Sequence, residues 1–388
     1  MDKENHFDVI VLGVGSMGVA ACYYLASNGA KVLGLEQFDI PHKRGSHAGQ
    51  SRIIRKAYFE HPDYVPLLEK AYHNWKHLED ITGEKVFYKT GLFYAGPKDH
   101  PIIHGVRYAS ASYKIPLDES FRFEESSISR VISLPDACDH ILEPDAGFVT
   151  PEKAIRLFAM HAKESGADIK TGIKVLSWRE YGSGFEVDTT AGKFYGKKLV
   201  ITSGAWTAGL IPSLQVSLKV TKQVLAWVQP RYPGLVSLGN FPCWVMVDEE
   251  LPGVFYGFPV LPKEEFEGPV GFKLAWHYPQ AVCHPDEPDR GSLQDEEDRI
   301  KGFLHNYFPE LYVSTIMLKT CLYTNSPDEH FIIDYLPGYE GRIAIAAGFS
   351  GHGFKFVPAV GEVLCEMVMK GSTDLPVGFL GLHRFGIA

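Results

Sequence analysis

None of the six cysteines (Cys22, Cys138, Cys243, Cys283, Cys321 and Cys365) forms a C-x-x-C pair or falls at a regular spacing within the 388 residues. That excludes a cysteine-built zinc site or disulfide framework and implies reduced thiols in a reducing compartment. Positive charge is also short, with 38 Lys and Arg against 47 Asp and Glu and a net charge of −9, so a phosphate backbone is not an expected partner. No apolar run approaches the roughly 20 residues needed to cross a bilayer. The opening Met1-Asp2-Lys3-Glu4 carries neither the basic nor the apolar stretch of a secretion signal. The expectation is a cytoplasmic protein with no membrane partner. Internal repeats and low-complexity linkers are absent. What is present is ordinary for a globular chain: 45% hydrophobic, 13% aromatic and 22% charged residues, with a length that suits two or three domains of about 150 residues each.

The apolar run Val9 to Leu12, a glycine turn, a helical stretch ending at Asn28-Gly29 and the run Val32 to Leu35 read as one βαβ unit. Leu67, Leu68, Ala71, Tyr72, Trp75 and Leu78 recur at helical spacing, predicting a helix over Asp63 to Asp80. Thr150-Pro151 marks a helix start, Thr as N-cap, and that helix runs to Ser165-Gly166. Strand-like runs follow over Ile169 to Val175, Phe185 to Thr190 and Leu199 to Thr202. From Val216 to Tyr278 the composition is that of a sheet with turns. Ser292 followed by Asp295, Glu296 and Glu297 predicts a capped helix reaching Tyr307. The tail returns to α/β: a strand Arg342 to Phe349, a glycine-rich turn and a helix Pro358 to Met369.

Gly13-Val14-Gly15-Ser16-Met17-Gly18 is a complete G-x-G-x-x-G between strand and helix, with Glu36 ending the next strand. Gly13 makes the turn, Gly15 lets backbone approach a pyrophosphate, and Gly18 lets helix and strand pack. Ser16 and Met17 open the helix whose N–H groups face the anion. Glu36 suits a ribose hydroxyl pair and repels a 2′-phosphate, which disfavours NADP. The motif alone leaves NAD and FAD both open. A lone cysteine such as Cys321 is ordinarily a small buried hydrophobe. Lys273, on one strand face with Ala275 and His277 and opposite Phe272, Leu274 and Trp276, must reach an edge or a functional cavity. Arg52 and Arg55, three apart, read equally as a surface pair.

Further segments are spread over the whole chain: Gly45-Ser46-His47 with Arg52-Ile53-Ile54-Arg55, Gly271-Phe272-Lys273-Leu274, Cys321-Leu322-Tyr323-Thr324, Asp328 to Asp334, and Ala347 to Phe356. With Phe7 to Gly13, they resemble the monomeric sarcosine oxidase and N-methyltryptophan oxidase family of FAD-dependent amine oxidases. The resemblance implies FAD tethered through the Cys321 sulfur, with Ser46, Arg52, Gly351, Gly353, Phe354 and Lys355 beside it. It implies a carboxylate clamp of Arg55 and Lys355, for which a guanidinium fork and an ammonium suit a planar anion. Lys273 would sit over the flavin and activate oxygen, with its charge stabilising peroxide as it forms. His277, Tyr323, His352 and Tyr256 would line the site. Relative to the family the connection Pro259 to Gly271 is lengthened through Lys263-Glu264-Glu265-Phe266-Glu267, near the expected mouth of the site.

The expected fold is α/β: a Rossmann-like FAD-binding domain from residues 1–90, 145–215 and 320–388, and an inserted β-rich substrate domain from 91–144 and 216–319. The expected activity is oxidation of a secondary amino acid such as sarcosine by oxygen, in a monomer, yielding aldehyde, amino acid and hydrogen peroxide. The rivals are an oxidase of bulkier or cyclic substrates such as N-methyltryptophan or pipecolate, an NAD-dependent dehydrogenase, a flavin dehydrogenase with a non-oxygen acceptor, and a nucleotide-binding protein without turnover.

Overall fold

A computed structural model describes residues 5–278, 281–287 and 293–387. Strand β1 (His6–Leu12), helix α1 (Ser16–Ser27) and strand β2 (Val32–Leu35) form the anticipated unit, with β1 and β2 parallel. The helix gives out at Asn28, and Gly29 takes the left-handed conformation (φ 82°) that a side chain resists. An eight-stranded sheet grows from β1, which pairs in parallel with Gly192–Ile201, itself parallel to Ile343–Ala347. Strands from both chain ends therefore meet in one sheet. Its β1 and β2 are almost wholly buried, as parallel strands covered on both faces must be.

A second sheet of seven strands runs in the order Tyr312–Asn325, Lys219–Pro230, Phe272–His277, Val254–Phe258, Cys243–Met246, Leu92–Pro97 and Cys138–Glu143. One of its faces holds a core built on Trp244, Phe255, Phe272, Leu274, Phe303 and Phe308. Strand Tyr312–Asn325 crosses residue 320 and pairs with Lys219–Pro230 over its whole length. A three-stranded sheet of Arg52–Ile54, Gly147–Val149 and Phe87–Lys89 presents the arginine segment.

Local chemistry shifted several sequence expectations. The run Ile169 to Val175 is two strands, Asp168–Lys170 and Val175–Tyr181, divided where Gly172 turns with φ 71°. The helix expected from Asp63 begins as a short 3-10 turn, Pro62–Tyr64, and continues as Val65–Thr82 up to left-handed Gly83. Thr150 occupies the N-cap of Pro151–Glu164, but its side chain does not cap: the hydroxyl donates instead to Val86 O at 3.3 Å. The acidic first turn of Gln294–Tyr307 holds Asp295, Glu296 and Glu297; Ser292 lies outside the described residues. No described helix is long and apolar enough to cross a membrane.

Candidate active site

Between the two large sheets lies a cavity of about 620 Å3 that starts at Gly13, Gly15, Ser16 and Met17 and reaches Tyr323, Thr324, Gly351 and Phe354. At its first end Gly13 turns with φ 90°, a conformation a Cβ would drive to 2.7 Å from the Ser203 backbone. A Cβ on Gly18 would stand 2.0 Å from Gly13 O, so this glycine serves packing, whereas one on Gly15 would meet nothing within 4 Å and project into open space. Glu36, nearly sealed off at 5% exposure, accepts from Val14 N–H at 2.9 Å and Phe38 N–H at 3.1 Å. Burial outweighs these backbone donors and pushes its carboxyl up to about 7.

Farther along, two buried polar atoms on cavity-lining residues have no partner among the described residues: His47 Nε2 and Thr324 Oγ1. Such atoms are costly unless something hydrogen-bonds them. An extended ligand with polar groups along its length fits them, and with the glycine turn and Glu36 at one end the residues suit FAD. Ser46 and Arg52 line the same wall. The Arg52 guanidinium donates to Ser46 O at 3.0 Å, Ala48 O at 2.7 Å and Ser51 O at 2.9 Å, so backbone carbonyls fix its orientation.

A second chamber of about 80 Å3 adjoins the first, with Arg52, Tyr323, Gly351 and Phe354 lining both. Arg55, Lys355, Tyr256, His277 and His352 line this smaller space, which brings together most of the expected clamp and wall. Arg55 is 4% exposed and sandwiched, its guanidinium 4.3 Å from the Tyr58 ring centre and 4.0 Å from that of Phe59. Its Nη2 alone donates to both oxygens of the Glu60 carboxylate, at 2.6 and 2.7 Å, while Nη1 donates to Ala57 O at 3.2 Å. Burial would raise Glu60, but the charges of Arg55 and Lys355 prevail, joined by His352 where that ring is protonated, and hold it down to about 2. Lys355 donates to His352 O at 2.7 Å, and burial, with the Arg55 charge beside it, brings its ammonium down to about 7.

His277 Nδ1 lies 3.2 Å from Tyr323 Oη. Burial lowers His277 to about 4 and His352 to about 3, so both rings are neutral at pH 7. His352 shares a short hydrogen bond with Tyr58 Oη, while its backbone N–H goes to Phe349 O at 3.0 Å and is not offered to the cavity.

Lys273 and Cys321 line neither chamber. Both lie in the buried layer behind Arg52, and Cys321 packs with Leu225, Trp227, Ala275 and Tyr323. Burial pushes the Cys321 thiol up, against the pull of Arg52, Lys273 and Lys319. The alternation of Phe272–His277 holds: Phe272 and Leu274 enter one core and Ala275 the other. The Lys273 ammonium meets the carbonyls of Gly49 and Ser51 (2.7 Å for the latter) and Ser51 Oγ at 3.1 Å. Three acceptors for three N–H groups is the geometry of a charged amine, although burial and then Arg52 draw its pKa well below the ordinary value. Segment 259–271, expected near the mouth of the site, also lines neither chamber. Phe266 instead plugs against Tyr88 and Phe148, with ring centres 4.8 and 5.9 Å away.

Glu60 is the residue that sequence reasoning missed. Its signal is faint, an acidic residue five positions after Arg55 with two aromatics between. Val245, Val254 and Phe59, which close the small chamber, carry no signal beyond being apolar.

The chain matches the family described as FAD dependent oxidoreductase over residues 8–367. It is 35% identical over 387 residues to the monomeric sarcosine oxidase of Streptomyces avermitilis, covering 98% of each chain. It is 31% identical over 385 residues to the N-methyl-L-tryptophan oxidase of Yersinia pestis (strain Pestoides F), covering 98% of this chain and 99% of that one. Among solved structures, the open form of NikD, an unusual amino acid oxidase essential for nikkomycin biosynthesis, is similar with a TM-score of 0.84 at 21% identity over 97% of both chains. That last likeness concerns the fold. A dinucleotide cavity of this shape, a second chamber opening from it, and two relatives above 30% identity along nearly the whole chain lead to one conclusion: the protein belongs to the FAD-dependent oxidoreductase family.

Proposed function

We propose that this protein oxidises a small N-methyl amino acid, sarcosine being the first substrate to try, with FAD as the resident cofactor and oxygen as the acceptor. The observation that carries the reading is the pair Arg55 and Lys355, two buried cations lining a small chamber that shares a wall with the dinucleotide cavity. A buried cation pair needs an anion, and a substrate carboxylate supplies one once Glu60 gives up the Arg55 guanidinium.

With its carboxylate held there, the substrate's amine end faces His277, Tyr323 and Tyr256. Neutral imidazole does not repel an amine and can accept a proton or hydrogen bond from it. Apolar walls at Val245, Val254 and Phe59 exclude water and limit the size of the group admitted. FAD held along the larger cavity by Gly13, Gly15, Ser46 and Arg52 would supply the two-electron acceptor for the substrate C–H and hand those electrons to oxygen, giving hydrogen peroxide; the oxidised substrate would be an imine that water hydrolyses to aldehyde and amino acid. Lys273, held by its three acceptors in the layer behind Arg52, is the proposed cation for the reduction of oxygen. Cys321, in the buried layer beside Arg52, is the proposed point of covalent attachment.

The proposal includes a monomer, in keeping with the name of the Streptomyces relative, and a cytoplasmic location. It also includes an FAD domain of residues 1–90, 145–215 and 320–388 around a substrate domain of 91–144 and 216–319. The test is the visible spectrum of the purified protein, recorded anaerobically before and after sarcosine is added. The oxidised flavin band should bleach, and peroxide should form on admitting air. A yellow protein that sarcosine and other N-methyl amino acids leave unbleached would refute the substrate class. Flavin that stays with a denatured Cys321→Ala protein would move the attachment elsewhere.

A further inference from the structure

We propose that Gln50 is a positioning residue for Lys273, fastening segment 262–269 to the stretch of backbone that grips the lysine ammonium. The proposal rests on the reading of Lys273 given above.

Gln50 is 9% exposed and has φ 71°, the left-handed region that non-glycine residues seldom occupy. Strain of this kind persists only where the surroundings over-determine it, and here they do. The Gln50 side-chain amide donates to Glu267 O at 3.0 Å and Pro269 O at 3.2 Å. Its oxygen accepts from Trp227 Nε1 at 2.9 Å, and its backbone N–H reaches the Glu152 carboxylate at 3.2 Å. Gly49 N–H donates to the same carboxylate at 2.7 Å.

The consequence falls on the neighbouring carbonyls. In extended backbone, carbonyls two residues apart point the same way but sit about 6.6 Å apart along the strand, too far for both to bond one nitrogen. The kink at Gln50 converges Gly49 O and Ser51 O on Lys273 Nζ. Trp227 stands opposite Lys273 on the adjacent strand, its ring centre 5.6 Å from the ammonium, while its N–H holds Gln50. The anchor on the far side is segment 262–269 itself, seated by Phe266 on Tyr88 and Phe148. These residues thus act on the site from behind, through the cage around a charge, and Arg52 follows immediately along the chain.

The experiment uses flavin-loaded protein and the variants Gln50→Leu, Trp227→Phe, Lys273→Met and the double variant Gln50→Leu/Lys273→Met. Amide hydrogen exchange is followed at residues 49–52 and 262–269, and the oxygen reaction of photoreduced flavin is followed across pH. Gln50→Leu should speed exchange in both stretches, shift the pH profile and slow reoxidation on the order of tenfold, within the hundredfold that an ångström of misplacement can cost. Trp227→Phe should move all three in the same direction by less, and it serves alone if Gln50→Leu does not fold. In the Lys273→Met background the leucine should slow reoxidation no further. A wild-type rate in Lys273→Met would overturn the reading of Lys273 and this proposal with it. A slow Lys273→Met beside an unchanged Gln50→Leu, or two slowdowns that simply multiply, overturns the positioning role alone.

Discussion

The two chambers treat their polar groups in opposite ways. Around the larger cavity, His47 Nε2 and Thr324 Oγ1 have no partner among the described residues, and burial brings Glu36 up to about 7 against its backbone donors. Around the smaller one, every cation already has an oxygen: Arg55 has Glu60, and Lys355 has His352 O. The larger space offers bonds to a ligand that stays, since an orphaned buried group costs about 1–3 kcal/mol until something bonds it. The smaller space is satisfied by its own residues, as suits a ligand that must come and go. Occupancy by a resident cofactor and by a turnover substrate are thus distinguishable from the protein's own hydrogen bonds.

The most forceful way to break that comparison is to unbalance the satisfied chamber. Arg55→Met leaves Glu60 buried without its partner, a change of about 3–5 kcal/mol. It is expected to cut kcat/KM for sarcosine by two to three orders of magnitude and to lower the melting temperature. Adding Glu60→Gln should restore much of the stability and none of the kcat/KM; a double variant that recovers activity would mean the carboxylate binds elsewhere.

Next in size, the two ends of the glycine motif should separate. Gly18→Ala forces a Cβ against Gly13 O and should destabilise the apoprotein by about 1–3 kcal/mol. Gly15→Ala should leave apoprotein melting unchanged while abolishing flavin content, because its Cβ enters only the cavity. Equal melting losses in both would show that Gly15 is structural too.

Those glycines were legible because a βαβ unit is local: one turn, one helix and a parallel pair fix where each Cα goes. Alternation likewise placed Lys273 and Ala275 together on one face. What local pattern could not give was partnership across the fold. Glu60 belongs to the Arg55 guanidinium through two hydrogen bonds and an aromatic sandwich, none of which spacing reveals. Residues 263–267 were expected near the mouth of the site, yet Phe266, seated in a hydrophobic recess against Tyr88 and Phe148, holds them away from both chambers. Thr150 shows the same at small scale, its hydroxyl drawn from the N-cap to a carbonyl 64 residues away.

The chambers should also answer pH with opposite signs. Lys355 is brought down to about 7, and a bound carboxylate favours its charged form. Above pH 7 binding must take up a proton, so the affinity for a carboxylate inhibitor should fall as pH rises. Glu36 is brought up to about 7, and ribose hydroxyls favour its charged form. Below pH 7 FAD binding must release a proton, so the affinity of Cys321→Ala for FAD should fall as pH drops. Each slope is at most about tenfold per pH unit for one proton. Titrations at several pH values read both, and slopes of the same sign would mean the two groups are not the ones that titrate.

The smallest expected effect is the sharpest on the empty-versus-satisfied distinction. Thr324→Val removes a buried hydroxyl that no described residue bonds. If the hydroxyl exists for FAD, the apoprotein should gain up to about 1 kcal/mol, while the extra melting temperature conferred by FAD shrinks. Both changes can be measured in the Cys321→Ala background, where cofactor-free and cofactor-bound protein can be compared directly. A loss of apoprotein stability would mean Thr324 already has a partner in the empty cavity, and the larger chamber would then be satisfied from within just as the smaller one is.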